Sequence, residues 1–186
     1  MDRAMNFESV FRYIEKCFGD RFTSFVLSEF SLEVFRNRFV SIVPKNIYGF
    51  IKSLSINPIL SGIIIGWFRK GEFIPSTNLF YFGKSSGFRF GCSVIAGEQG
   101  VKAFLYGNDL LLTSFRGFIE PVEKGMYVAV VDSGDMMPIG IGRLVVDPRE
   151  VDELRKGGRV LEVIAENIFD LGRLLRDHRL FSIDIH

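Results

Sequence analysis

Phe104-Leu105-Tyr106-Gly107-Asn108-Asp109, the apolar run from Tyr127 to Val131, and Pro138-Ile139-Gly140-Ile141-Gly142-Arg143 decide how this chain folds. The first reads as a short helix turned at its end by glycine. The other two read as strands, the second carrying paired glycines. Together they fit a small, tightly curved barrel. None of the three offers a nucleophile, a metal-ligand cluster or an acid–base pair, so the stretch points to a binding module and away from an enzyme.

Working outward, Gly97-Glu98-Gln99-Gly100 is the best break in the chain and divides residues 1–96 from 97–186. The second half reads as a helix over 101–106 followed by strands near 110–113, 117–119, 126–132 and 139–146. Glycines 134, 140 and 142 mark tight bends or close backbone approach. Asp132 and Asp135 flank Gly134 and make a turn. Asp147, Pro148 and Glu150 carry the signature of a helix start, with Val151 and Leu154 as its apolar edge and Gly157-Gly158 as its end. A strand over 160–164 follows. Asn167 then caps a last helix with Ile168, Leu171, Leu174 and Leu175 inward.

In the first half, Asn6 caps a helix in which Phe7, Val10, Phe11, Ile14, Cys17 and Phe18 recur at helical spacing. Gly19 suits its left-handed exit. Alternation over 22–43 predicts two or three antiparallel strands. A second helix covers 45–54, with Ile47, Phe50, Ile51 and Leu54 facing the core. Ile63-Ile64-Ile65-Gly66-Trp67-Phe68 reads as a buried strand, with Phe73-Ile74 and the run 79–82 pairing nearby. This order argues an α+β fold with an N-terminal antiparallel sheet and helices.

Composition excludes several classes. The 186 residues are 47% apolar and 24% charged, which argues against disorder. The 20 phenylalanines, mostly at core-like spacing, predict a Phe-rich interior. Residues 1–95 hold 12 Lys and Arg against 7 Asp and Glu, and residues 96–186 hold 11 against 15. The balances of +5 and −4 mean that any polyanion must meet a local patch or the first half. Two cysteines, Cys17 and Cys92, argue against a disulfide framework and against a metal site. The opening residues lack the pattern of a signal peptide. The longest apolar run, 59–68, is too short to cross a bilayer as a helix. These features predict a soluble, cytoplasmic protein with no membrane partner.

Four short motifs fail on context. Gly83-Lys84-Ser85 ends like a phosphate-binding loop, but Asn78 stands where glycine is needed and bulky residues intervene. Gly140-Ile141-Gly142 starts like a dinucleotide fingerprint, but position 145 is Val and the glycines lie inside a strand pattern. Gly87-Phe88-Arg89-Phe90 echoes an RNA-recognition strand without the rest of its octamer and reads as a strand edge. His178 and His186 have no nearby cysteine and suggest no ligand set. No cofactor and no catalytic or metal site is predicted.

The basic residues Arg143, Arg149, Arg155, Lys156 and Arg159 carry more weight. Arg143 ends a strand, and the rest lie on the following helix and its exit. Arg149, Asp152, Glu153 and Lys156 share one helical face, which allows pairs three and four apart. Arg155 and Arg159 point elsewhere and are freer to meet phosphates.

The runs quoted at the outset resemble the PUA domain, a small pseudobarrel named for pseudouridine synthase and archaeosine transglycosylase. With Glu98-Gln99, the length and the domain order, the chain resembles the Nip-seven family of large-ribosomal-subunit biogenesis factors. The strong motifs span roughly residues 98–146. The resemblance implies a PUA-like β pseudobarrel over 97–186 and a non-catalytic RNA-binding protein. Its implied partners are ribosomal RNA and other ribosome assembly proteins. It also implies RNA contact through basic residues after the paired-glycine strand, here Arg143, Arg149, Arg155, Lys156 and Arg159. The alternative is an RNA-modifying enzyme, or its accessory subunit, that uses the PUA domain to present RNA. That reading needs a positioned aspartate in residues 1–95, where only Asp2 and Asp20 stand.

Overall fold

The computed structural model describes residues 7–36, 38–54 and 61–176. Asn6, His178 and His186 lie outside them. The chain divides into two compact units, Met1–Gly91 and Cys92–His186. The division precedes the glycine-rich break at 97–100 because Ser93–Ala96 is a strand of the second unit's sheet. Residues 93–96 therefore belong to the second unit and not to the first, where the sequence break had put them.

The first unit opens with α1 (Phe7–Phe18), which buries Val10, Ile14 and Cys17 along one face. Gly19, with φ of +79°, turns the chain out of it. α2 (Asp20–Glu29) follows at once, where alternation had predicted a strand. Its buried residues are Phe22 and Val26, four apart, so the helical period and not the strand period sets its inner face. β1 (Phe30–Phe35), β2 (Phe39–Pro44), α3 (Lys45–Ser53), β3 (Ile63–Arg69), β4 (Glu72–Pro75) and α4 (Thr77–Ser85) complete the unit. The four strands form an antiparallel meander in the order β1-β2-β3-β4.

Three sequence readings change here. The bulky run 79–82 is helical, with Leu79 and Phe80 buried. Gly83 sits in that helix because the Phe18 ring occupies the space a Cβ would need. Residues 88–90 form no strand. Phe88 instead packs edge-on against Phe22 with ring centroids 5.0 Å apart, and Phe90 does the same to Phe80 at 5.3 Å. The phenylalanines thus build an aromatic core, as their abundance predicted. On α3, Ile47 and Phe50 are exposed, the latter by 63%, as is Leu54 just beyond its end, and only Ile51 of the predicted inner face is half-buried.

The second unit contains β5 (Ser93–Ala96), α5 (Glu98–Leu105), β6 (Leu110–Leu111), β7 (Phe115–Ile119), β8 (Tyr127–Asp132), β9 (Pro138–Leu144), α6 (Val151–Lys156), β10 (Val163–Asp170) and α7 (Arg173–Arg176). Its sheet runs β6-β10-β9-β8-β5-β7. β5 lies parallel to β8, and every other pairing is antiparallel. The sheet curls into a half-barrel around Val94, Phe104, Leu110, Val128, Val130 and Ile164. The predicted last helix at Asn167 is replaced by β10, which continues through Asp170. Leu175, predicted inward, is 82% exposed. Cys17 and Cys92 are both disulfide-bonded, contrary to expectation, and neither is a free thiol.

The paired glycines have a packing reason. A Cβ on Gly140 would stand 2.6 Å from Cε1 of Phe104 and would also strike the Phe169 carbonyl oxygen. On Gly142 it would meet the Ala165 Cβ at 3.0 Å. Glycine lets α5 press its phenylalanine onto the sheet between β9 and β10. Neither residue has positive φ. They mark close approach.

Candidate nucleic-acid interface

α5 ends in a glycine cap. Gly107, with φ of +91°, donates its N–H to the Phe104 carbonyl at 2.9 Å, and the Asn108 N–H reaches the Ala103 carbonyl at 3.1 Å. These are the two bonds of a Schellman cap, and they leave Tyr106 projecting, 76% exposed. The cap is tied to β10. Asn167 donates its side-chain amide to the carbonyls of Phe104 at 2.8 Å and Asn108 at 3.3 Å, and its backbone N–H to Asp109 Oδ1 at 2.8 Å. Buried Asp170 accepts from one terminal nitrogen of Arg176 through both its oxygens and from the Arg173 N–H.

At the start of β8 and the end of β9, Tyr127 and Arg143 stand directly opposite each other. The Arg143 guanidinium carbon lies 5.7 Å from the centre of the Tyr127 ring, and its Nε donates to the Gly125 carbonyl at 3.2 Å. The cation therefore stays exposed while its direction is fixed. Lys124, in the turn before β8, is exposed and has no hydrogen-bond or ion-pair partner among the described residues.

Beyond β9, the Asp147 carboxylate accepts from the Arg149 N–H at 3.0 Å and from Arg149 Nε at 3.3 Å. The Arg149 N–H holds its carboxyl below the usual range, helped by the charges of Arg149 and Lys124. Asp147 caps a short 3₁₀ turn, Pro148–Glu150, that leads into α6. The predicted start is at the right residue, but the helix proper begins three residues later.

The five predicted cations are not alike. Arg149, with a side chain 91% exposed, pairs with Asp147 and not with Asp152 or Glu153. Lys156 is exposed and unpaired among the described residues. Arg155 and Arg159, read as the freer pair, are engaged as well. Arg155 donates to the Phe115 carbonyl at 3.1 Å and lies over that ring, 5.4 Å from its centre. Arg159 pairs with Glu162 at 2.6 Å. Their partners lie on another strand and in the bend after α6, where helical periodicity does not reach.

Sequence reading missed Lys124 and Tyr127. The antiparallel pairing of β8 with β9 brings both beside Arg143, and the hairpin pattern was the available signal. Asp20, the one described aspartate the enzyme reading could use, is the exposed first residue of α2. Among the described residues, no group of three His, Cys, Asp or Glu is placed to hold a metal ion, and no helix is long and apolar enough to cross a membrane.

Residues 92–179, the curled sheet with its capped helix and Arg143, match the family model described as the UPF0113 PUA domain. The chain carries a PUA domain. A hypothetical protein from the hyperthermophilic archaeon Pyrococcus horikoshii OT3 is similar over 92% of this chain and 91% of its own, at 14% identity and a TM-score of 0.61. A conserved PUA domain protein from Thermoplasma acidophilum is similar over 79% and 80%, at 18% identity and 0.51. A PUA domain from Aeropyrum pernix K1, solved with tartrate, is similar over 81% and 79%, at 15% identity and 0.52. At these identities the likeness is one of fold. No curated protein matches the chain. The PUA domain is an RNA-binding module, and its exposed cations here include Lys124, Arg143, Arg149 and Lys156.

Proposed function

We propose that this protein is a non-catalytic, cytoplasmic RNA-binding factor that works on ribosomal RNA during assembly of the large ribosomal subunit, alongside other assembly proteins. The PUA domain supports RNA as the partner, and the resemblance of the 98–146 motifs to the Nip-seven family supports the ribosomal setting. One observation carries the placement of the contact: Arg143 is laid on Tyr127 and tethered to the Gly125 carbonyl, with Lys124 in the adjoining turn. A fixed cation on an aromatic face can hold a phosphate and stack a base. Arg149 and Lys156 extend the contact, while Arg155 and Arg159 position α6 and its exit.

The test is a titration of full-length protein into labelled ribosomal RNA fragments at several salt concentrations. The triple variant K124Q/R143Q/R149Q should bind more weakly and flatten the dependence of log affinity on log salt by roughly 0.7 per lost phosphate contact on single strands. An unchanged slope and affinity would remove this placement. Depleting the protein from cells should leave precursors of the large subunit to accumulate; normal subunit profiles would remove the ribosomal assignment.

A further inference from the structure

The first unit carries a second cationic surface, at one end of its four-stranded sheet. The β1–β2 turn presents Arg36 and Arg38, and the β3–β4 turn presents Arg69 and Lys70, all exposed. The two turns are neighbours. β2 pairs with β3 so that Phe39 faces Trp67, and the Phe68 N–H donates to the Arg38 carbonyl at 2.7 Å. Four positive side chains thus share one edge of a sheet whose strands repeat about every 4.8 Å. The side chains of Arg36, Arg69 and Lys70 have no hydrogen-bond or ion-pair partner among the described residues. The Arg38 guanidinium lies over the Phe39 ring, 4.7 Å from its centre. Behind the turns, half-buried Phe35, Phe39 and Trp67 form a cross-strand row on one face of the sheet.

The backbone adds a second observation. Arg36 and Lys70 are both left-handed, with φ of +48° and +51°. That region favours glycine or asparagine, and a long cationic side chain there gains nothing for the turn itself. Gly71 adjoins one of them and also has positive φ, so the chain already uses glycine in the same turn.

We infer that this paired-turn edge is a binding surface for single-stranded RNA, with Arg36, Arg38, Arg69 and Lys70 on phosphates and the Phe39–Trp67 row supplying aromatic contact to bases. The cations explain attraction to any polyanion. The aromatic row behind them favours nucleic acid over an acidic protein or an anionic membrane. The surface is separate from the PUA-domain placement proposed above and extends it to a second contact.

Trp67 is the sole tryptophan, so its fluorescence reports on this edge directly. Full-length protein is titrated with a fluorescein-labelled twelve-residue oligouridylate, while tryptophan emission and anisotropy are followed over a series of salt concentrations. R36Q/R38Q/R69Q/K70Q should lose affinity on the order of tenfold at low salt, flatten the salt slope by up to roughly 0.7 per lost contact, and lose the emission change. A charge-keeping variant, R36K/R38K/R69K, should retain most of the affinity, which separates lost charge from a damaged fold. Unchanged affinity in the Gln variant, or equal loss in both variants, overturns the inference. So does tighter binding to phosphatidylserine vesicles than to the oligonucleotide. If K124Q/R143Q/R149Q weakens binding while the turn variant does not, this inference fails and the PUA placement stands. The reverse result sinks the PUA placement alone.

Discussion

Asn167 joins β10 to the end of α5 by donating its side-chain amide to the Phe104 carbonyl across 2.8 Å. Phe104 is also the residue whose ring lies on Gly140. One side chain therefore fixes the carbonyl of the residue that another strand accommodates by lacking a Cβ. The helix cap, β9 and β10 are held as a single assembly at that point.

Asn167→Ala removes both amide bonds and leaves the Phe104 and Asn108 carbonyls short of a donor. The expected loss is roughly 1–3 kcal/mol, read as a lower urea midpoint at unchanged slope. Asn167→Asp, nearly isosteric but without the donors, should be no better than alanine. A neutral Asp variant would show that the amide bonds do not hold the cap.

Gly140→Ala forces a methyl against Phe104 and the Phe169 carbonyl, and overpacking of this kind costs about 1–3 kcal/mol. Trimming the ring in Gly140→Ala/Phe104→Leu should recover part of that loss, so a double-mutant cycle should give a clear coupling energy. Additive effects would mean that Phe104 and Gly140 do not constrain each other. Gly125→Ala is the contrast. Nothing lies within 4 Å of its Cβ position, and only its φ of +88° is penalised.

Arg155→Ala should act on stability and leave RNA affinity nearly unchanged, because its guanidinium is committed to the Phe115 carbonyl and ring. Loss of that bond and the ring contact should cost about 1–2 kcal/mol. Lys156→Ala should do the opposite, leaving the melting curve alone and weakening RNA. Thermal melts run beside anisotropy titrations would expose an exchange of these two roles.

Asp147 gives a pH signature with a definite sign. Its carboxyl lies below its ordinary value of 3.8 in the folded protein because the Arg149 N–H and charge favour the ionised form. The stabilisation is present above that ordinary value and is lost as pH falls through the lower folded one. Wild type should therefore melt above Asp147→Ala at neutral pH, and the gap should narrow as pH falls through the lowered folded value. A gap of constant size would assign the cap to something other than the carboxylate.

The sequence was most legible where local chemistry and tertiary packing agree. The glycine exit from α5, the Asp132–Gly134 turn, the strands around the paired glycines and the Asp147-Pro148 start all stand where their residues predict. It misled where one pattern serves two periods. Phe22 and Val26 fit a loose alternation as well as a helical face, and only packing against α1 separates the two. Asn167 has the composition of a cap, yet its amide is spent sideways on Phe104. The proposed binding surface was half legible. Cations can be counted in a sequence, but whether Glu162 or the Phe115 carbonyl has already claimed one depends on the fold.

The parallel pairing of β5 with β8 has a practical consequence for anyone dissecting the chain. β5 is an internal strand, flanked by β7 and β8, although it is the first strand of its sheet in sequence. A fragment cut at Gly97 would keep the capped helix and Arg143 but lose Ser93–Ala96. It would expose two long apolar edges, on Phe115–Ile119 and Tyr127–Asp132, as templates for aggregation. An insoluble fragment would then report the position of the cut and nothing about RNA. A cut before Cys92 keeps the sheet whole.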